Sequence, residues 1–192
     1  MSNIVIVGVG GQGTLLASRI LGRAATDLGY DVKVSEVHGM SQRGGSVITY
    51  VKYGEKVFSP IVEDCGADIL LAFEELEAYR SLNYLKEGGK LVVNAQETDP
   101  MPVITGAAKY PENILEKIEK KGIEMTAVDA LSAAREAGSE KAVNVVLIGV
   151  LAAHSDISKE AFIDAINKTV PEKFLEINLK AFELGFNLGS NK

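Results

Sequence analysis

Cysteine is the scarcest chemically informative residue in this chain: of 192 positions, only Cys65 carries a thiol. One thiol closes no internal disulfide, which excludes a disulfide-stapled secreted domain. It cannot hold an iron–sulfur cluster, which takes about four thiolates. With only His38 and His154 beside it, a closed structural zinc site is not expected either. Any redox chemistry must come from a bound cofactor or from another chain. Basic charge is also in short supply. Lys and Arg number 20 against 26 Asp and Glu, a net charge of -6. That balance lacks the electrostatic footprint of a nucleic-acid binder. No apolar run approaches the ~20 residues of a membrane span. The most apolar stretch, Val143 to Ala153, has the length of a buried core helix. The first residues carry no basic leader, and their apolar run is short and ends in glycines, so the cytoplasm is the expected location.

What is present reads as an α/β protein. Hydrophobic residues make up 46% of the chain and charged residues 24%, enough apolar material for a core and too little charge for wholesale disorder. Ile4-Val5-Ile6-Val7 is a β-branched run of the kind a strand buried on both faces requires. Glycines follow at 8, 10, 11 and 13. A helix is predicted from Thr14 to Leu28, stopped by Gly29, and an alternating strand from Asp31 to Val37. The right-handed crossover rule makes these two strands parallel. A polar, glycine-rich segment, His38 to Gly45, stands where a second helix is expected. β-character resumes from Ser46 to Tyr53, and Gly54-Glu55 predicts a hairpin turn into Lys56-Val57-Phe58.

Alternation then returns. The pattern predicts a strand over 68–73, a helix over 74–85, a turn at Gly88-Gly89 and a strand over 90–94. An amphipathic helix opening at Pro111, a strand over 123–128, and a helix over 130–137 capped by Asp129 and ended by Gly138 follow. Beyond residue 140 the chain is helical throughout, and the last helix, from Pro171, has an apolar surface broad enough for the domain, a partner, or both. The expected architecture is a Rossmann-like, three-layer, mostly parallel sheet with an inserted β-hairpin and a helical C-terminal segment. Residues 1–139 form the α/β core and 140–192 the terminal helices of a single domain.

Two loops carry the chemistry. Gly8-Val9-Gly10-Gly11-Gln12-Gly13 fits G-x-G-x-x-G between a strand and a helix opened by Thr14. Glycines permit close backbone approach to a phosphate, and the helix N-terminus offers free N–H groups and a partial positive charge. A turn needed only for helix–strand packing would look similar. The Walker Lys-Ser/Thr is missing, which excludes a P-loop nucleotidase. Glu36, about 20 residues on, is where a dinucleotide fold keeps its ribose ligand. The second loop, His38 to Gly45, leaves the same sheet edge. Arg43 supplies a fork for phosphate or carboxylate, flanked by Ser41 and Gln42, and Gly44 and Gly45 allow close approach of a ligand or another chain.

The remaining polar positions are less decisive. His38 is read as a hydrogen-bonding or interface residue, His154 as a helix cap, and Cys65 as a buried or half-buried thiol. Asn94 ends a strand near the same edge. Asn144 is either a satisfied core amide or a cleft residue. No catalytic constellation and no metal-ligand set is present, so the residues alone reach a Rossmann-like phosphate-binding domain with an unusual second loop.

The two loops together, Gly8 to Thr14 and Ser35-Glu36-Val37-His38-Gly39-Met40-Ser41-Gln42-Arg43-Gly44-Gly45-Ser46, resemble the gamma domain of the 2-oxoacid:ferredoxin (acceptor) oxidoreductases. The string Gly39 to Gly45 is similar to that of the small (beta) subunits of the indolepyruvate ferredoxin branch of the family. Ser59-Pro60-Ile61, Ala67 to Leu71, Glu74 to Arg80, Tyr84-Leu85-Lys86 and Asn144 to Leu151 agree with it. The resemblance implies a non-catalytic subunit of an enzyme that oxidatively decarboxylates a 2-oxoacid, here an arylpyruvate, to an acyl-CoA and reduces ferredoxin. It implies a large (alpha) partner subunit holding thiamine diphosphate, Mg and the iron–sulfur clusters, and an isolated chain that can self-associate. Its site would comprise Gly8, Gly10, Gly11, Gln12, Gly13, Thr14, Glu36, Ser41, Gln42, Arg43, Gly44 and Gly45. These would contact coenzyme A phosphates or the partner near thiamine diphosphate. The alternatives are a free-standing NAD(P)-binding oxidoreductase or nucleotide-binding regulator using Glu36, and an interaction scaffold with an empty glycine loop.

Overall fold

The computed structural model describes residues 1–39 and 44–191; Ser41, Gln42 and Arg43 of the expected site lie outside the described residues. Six strands form one sheet: β1 (Ser2–Val9), β2 (Asp31–His38), β3 (Ser46–Gly54), β4 (Ala67–Ala72), β5 (Leu85–Asn94) and β6 (Glu124–Val128). The helices are α1 (Thr14–Asp27), α2 (Glu75–Arg80), α3 (Met101–Ile104), α4 (Ile114–Glu119), α5 (Ala130–Ala137), α6 (Val143–His154), α7 (Lys159–Thr169) and α8 (Leu175–Ser190).

The strand order is β2-β3-β1-β4-β5-β6. β4, β5 and β6 extend β1 in parallel, while β3 runs antiparallel between β1 and β2. β1 and β2 therefore do point the same way, but they are not neighbours. The inserted hairpin is β2–β3, paired from Asp31↔Gly54 to His38↔Val47, and the second loop is its tip. The expected hairpin at Gly54-Glu55 is not formed: residues 56–58 add no strand, and Val57 N–H instead donates to the Asp31 carboxylate at 2.9 Å. Gly88 and Gly89 do not turn the chain but lie inside β5. There the register against β4 slips between Ala67 and Ile69, leaving a bulge that Gly88 enters with φ +71°. The expected helix over 74–85 is only α2 followed by a 3-10 turn at Leu82–Tyr84.

Both faces of the sheet are covered. On one face Ile4, Ile6, Leu71 and Val92 pack under α1, α5 and α6; on the other Val5, Val7, Leu70 and Val93 pack under α2 and α4. This two-sided burial explains the continuous apolar runs of β1 and β4. α6 is buried all round because it packs on β4 and β5 and also against α8. The broad apolar surface of α8 is thus largely spent within the chain, through Ala181, Phe182, Gly185 and Gly189. Contact is so close that a Cβ on Gly185 would lie 1.9 Å from the Val146 carbonyl oxygen. Asp129 caps α5 as expected, its carboxylate accepting from Ser132 N–H at 2.9 Å, and Gly138 ends that helix in the left-handed region. Cys65 is corrected from buried to exposed: it sits in the turn before β4 with φ +57°.

Candidate functional site

The carboxyl end of β1 leads straight into the glycine loop, and the loop is held by side chains on its own backbone. Val9 N–H donates to Gln12 Oε1 at 2.7 Å, folding the Gln12 amide back under the turn. Gly13, at φ +88°, precedes α1 with no side-chain cap, so the Thr14 and Leu15 N–H groups at the helix start have no intrahelical partner. The Gly13 carbonyl accepts from Leu16 and Ala17 N–H, and from Asn144 Nδ2 at 3.3 Å. A Cβ on Gly13 would meet that Nδ2 at 2.6 Å.

The two loops meet through backbone. Gly10 N–H donates to the Gly45 carbonyl at 2.8 Å, and Gly44 N–H to the Gly10 carbonyl at 3.3 Å. Ser46, the next residue, donates its hydroxyl to the buried Glu77 carboxylate, which also accepts from Arg80 Nη1 at 2.7 Å. The stem of the second loop is therefore tied both to the glycine loop and to α2. Glu74, 1% exposed, caps α2 through Glu77 N–H and accepts from the Tyr110 hydroxyl at 3.0 Å. Burial holds its carboxyl above the usual carboxylate range. Burial likewise raises Glu75, helped by the charges of Glu97 and Glu74.

A cleft opens on each side of the glycine loop. The larger, about 590 Å³, runs from Gly11, Gln12 and Gly13 to Asn94, Lys141 and Asn144. Asn94 is fully buried: its Nδ2 donates to the Phe73 carbonyl and Gln96 Oε1, and its Oδ1 accepts from Ala130 N–H. Both readings of Asn144 hold, since the amide is satisfied and also borders the cleft. Charge here is one-sided. Glu140 is paired with Arg135 at 2.8 Å, while the Lys141 ammonium has no ion-pair partner among the described residues. The smaller cleft, about 400 Å³, joins Gly10, Gly11, Gly13 and Thr14 to Glu36, His38 and Val47. Glu36 accepts weakly from Thr49 at 3.4 Å, and His38 Nδ1 lies 3.0 Å from the Gly39 carbonyl.

The expected site residues are thus largely brought together. Gly10, Gly11, Gly13, Thr14 and Glu36 share the smaller cleft, and Gly11, Gln12 and Gly13 border the larger. Gly44 and Gly45 join through Gly10, and Gly8, the last residue but one of β1, lies against the Gln12 amide. Glu36, however, is not where a dinucleotide fold keeps its ribose ligand. β3 intervenes, so Glu36 lies two strand spacings from β1, roughly 10 Å rather than ~4.8 Å. His154 is not simply a helix cap: its Nε2 lies 3.2 Å from the hydroxyl of Thr126, the middle residue of β6. Sequence reasoning missed Phe73, Gln96, Leu131 and Lys141 as cleft residues. The signal for the first two was their position just beyond the carboxyl ends of β4 and β5, where open α/β sheets bind ligands.

A mostly parallel sheet with a glycine loop and clefts at its carboxyl edge defines a doubly wound, Rossmann-like α/β domain. Comparison with known proteins narrows this. The family model described as pyruvate ferredoxin/flavodoxin oxidoreductase matches residues 3–188, and the chain belongs to that family. It is 48% identical over 188 residues to the indolepyruvate oxidoreductase subunit IorB of Thermococcus kodakarensis, covering 95% of this chain and 93% of that one. It is 40% identical over 189 residues to the subunit of the same name from Archaeoglobus fulgidus, covering 96% and 94%. Among solved structures, the gamma subunit of the keto/oxoacid ferredoxin oxidoreductase of Geobacter sulfurreducens superimposes with a TM-score of 0.74 at 29% identity, covering 98% of each chain.

Proposed function

We propose that this chain, as one gamma-type domain over residues 1–192, is the small subunit of an arylpyruvate (indolepyruvate) ferredoxin oxidoreductase and supplies the wall that binds coenzyme A phosphates. The chain is a subunit of a 2-oxoacid ferredoxin oxidoreductase, as its relatives and fold attest. The observation that carries the coenzyme A reading is the larger cleft. There, the Gly11–Gly13 backbone and Lys141, which has no ion-pair partner among the described residues, stand together while the neighbouring Glu140 is paired with Arg135. The smaller cleft, with Glu36 on its wall, disfavours a phosphate. Coenzyme A supplies the thiol that accepts the acyl group. This chain's part is to hold its phosphates and orient it, with Arg43 of the second loop as a further anion ligand.

Thiamine diphosphate, Mg and the iron–sulfur clusters are assigned to a large partner subunit that passes electrons to ferredoxin in the cytoplasm. One cysteine cannot ligate a cluster, and the described residues contain no group of three or more His, Cys, Asp or Glu able to hold a metal. No helix of the described residues is long and apolar enough to cross a membrane.

The test is a thermal-shift series on the full chain with coenzyme A, NAD and thiamine diphosphate, followed by turnover of an arylpyruvate with and without a co-expressed large, cysteine-rich subunit. A ligand that binds the native state raises the melting temperature. Coenzyme A is expected to raise it, and turnover is expected only in the complex. A shift with NAD alone, or NAD-dependent turnover by the single chain, would establish the free-standing oxidoreductase instead.

A further inference from the structure

β2 ends the sheet, and none of the described residues pairs with its outer edge. The direction of its backbone groups follows from β1. Asn3 N–H donates to the Asp68 carboxylate and the Val7 carbonyl accepts from Phe73 N–H, so odd-numbered residues of β1 face β4. Even-numbered ones, continuing to Gly10 N–H on the Gly45 carbonyl, face β3. Carried across β3, the same alternation turns the backbone groups of Asp31, Lys33, Ser35 and Val37 inward. Val32, Val34, Glu36 and His38 are left with their N–H and C=O groups at the open edge. Eight residues in unbroken register, with no proline and no bulge, form a template for another strand. Val34 and Val37 stand 46% and 51% exposed along it.

We propose that a second copy of this chain occupies the edge: two β2 strands pair antiparallel about a two-fold axis and join two six-stranded sheets into one. The axis stands perpendicular to the sheet and keeps every residue on its own face, so only registers that set even positions against even and odd against odd are allowed. A register centred on Lys33 places two ammonium groups opposite one another. One centred on Ser35 places the two Glu36 carboxylates diagonally adjacent. Centring on Val34 avoids both. Val34 then meets its own copy, Val32 meets the second copy's Glu36, and Tyr30 meets its His38. Lys33, already paired with Asp31 of its own strand, meets Ser35. Charge is balanced as well. Arg19 lies one turn before Gly22, where α1 crosses Val32 and Val34, on the same face as Glu36. Neither Arg19 nor Glu36 has an ion-pair partner among the described residues, so each copy brings one unpaired cation and one unpaired anion to the junction. The proposal is independent of what the glycine loop binds.

Sedimentation equilibrium of the full chain tests it, and should give twice the chain mass. Val34→Pro removes an N–H that points away from β3 and leaves the hairpin ladder whole. It should weaken the dimer about thirtyfold, through the loss of one hydrogen bond from each copy, with the circular dichroism of the fold retained. Val34→Lys sets two ammonium groups on the axis and should weaken the dimer through like charge. Register is read by disulfide formation in a Cys65→Ser background. Lys33 and Ser35 of opposite copies form a non-hydrogen-bonded pair, with Cα atoms about 4.5 Å apart, within reach of a disulfide. Lys33→Cys combined with Ser35→Cys should therefore give a covalent dimer under mild oxidation, and neither change alone should. A full chain that sediments as a monomer would overturn the proposal; protection of the Val34 amide from hydrogen exchange only in the complex with a large subunit would then assign the edge to that subunit. A dimer that survives both Val34 variants, or cross-linking by either single cysteine as strong as by the pair, would overturn it as well.

Discussion

The glycine loop after β1 and the seam between α6 and α8 both depend on glycine, and they use the missing side chain differently. At the seam the space is filled by the chain itself: Gly185 lets one helix backbone rest on another, with the Val146 carbonyl where a Cβ would be. At the loop the backbone turns through a left-handed Gly13 and leaves a cleft on either side, and polar side chains hold the loop from below. One region closes the interior; the other keeps backbone donors available to something outside the chain. Glycine in a sequence does not by itself distinguish the two uses. The residues around it do: the apolar run of α6 in one case, Gln12, Asn94 and Asn144 in the other.

The seam should fail hardest. Gly185→Val forces a side chain into the α6 backbone and should cost about 3 kcal/mol or more, visible as a lowered urea midpoint. A cost under ~1 kcal/mol would mean that the helices part easily and the contrast is overstated. Next comes Tyr110→Phe, which removes the donor to the Glu74 carboxylate and should cost about 1–2 kcal/mol at neutral pH. Glu74 has a raised folded pKa, so its contribution favours the folded state below the unfolded carboxyl value and is lost as pH rises through the folded one. Losing Tyr110 raises that folded pKa further. The variant's deficit should therefore be widest at neutral pH and shrink on acidification, as melts across the acid range would register; a pH-independent deficit would mean lost packing.

Gly13→Ala should cost about 1–2 kcal/mol through its positive φ, and should also abolish the melting shift with coenzyme A by displacing Asn144. A stable variant with the shift intact would show that the loop's shape is not needed for the ligand. The smallest effect belongs to Asp129→Ala. Loss of the α5 cap should cost about 1 kcal/mol. The hydrogen bonds from the Ser132 side chain and backbone lower the Asp129 pKa, so the cap acts above the unfolded value and fades as pH falls through the folded one. The gap between variant and wild type should close in strong acid.

Much of this arrangement was legible in the sequence. The β-branched run of β1, the glycine loop, the Asp129–Gly138 helix and the all-round apolar α6 each follow from local chemistry. The order of strands did not. A crossover from β1 through α1 predicts only that β1 and β2 are parallel, as they are, and does not show that β3 lies between them. The clue was there: β3 is nearly continuous in apolar residues while β2 alternates, the marks of an interior and an edge strand. Gly88-Gly89 has the composition of a turn, and only pairing with β4 makes it a bulge. Cys65 was judged by the usual burial of its residue type, but a left-handed turn placed it outside. In the site, loop residues were visible through their motif, whereas Phe73, Gln96 and Lys141 depend on which strand ends are adjacent, a property of the whole sheet.

The hairpin that displaced β2 has a consequence for how this protein can change. Its two stems are zipped over eight residue pairs, and β3 is zipped again to β1 along its whole length. Register is thus fixed well before the tip is reached. Residues between the stems can be exchanged, lengthened or shortened at little cost to the rest of the chain, since closing a slightly longer loop costs only a fraction of a kcal/mol. The second loop is in this sense an interchangeable fitting on a permanent mount. Selection can retune what meets the carboxyl edge by rewriting a handful of positions while the sheet beneath them stays as it is.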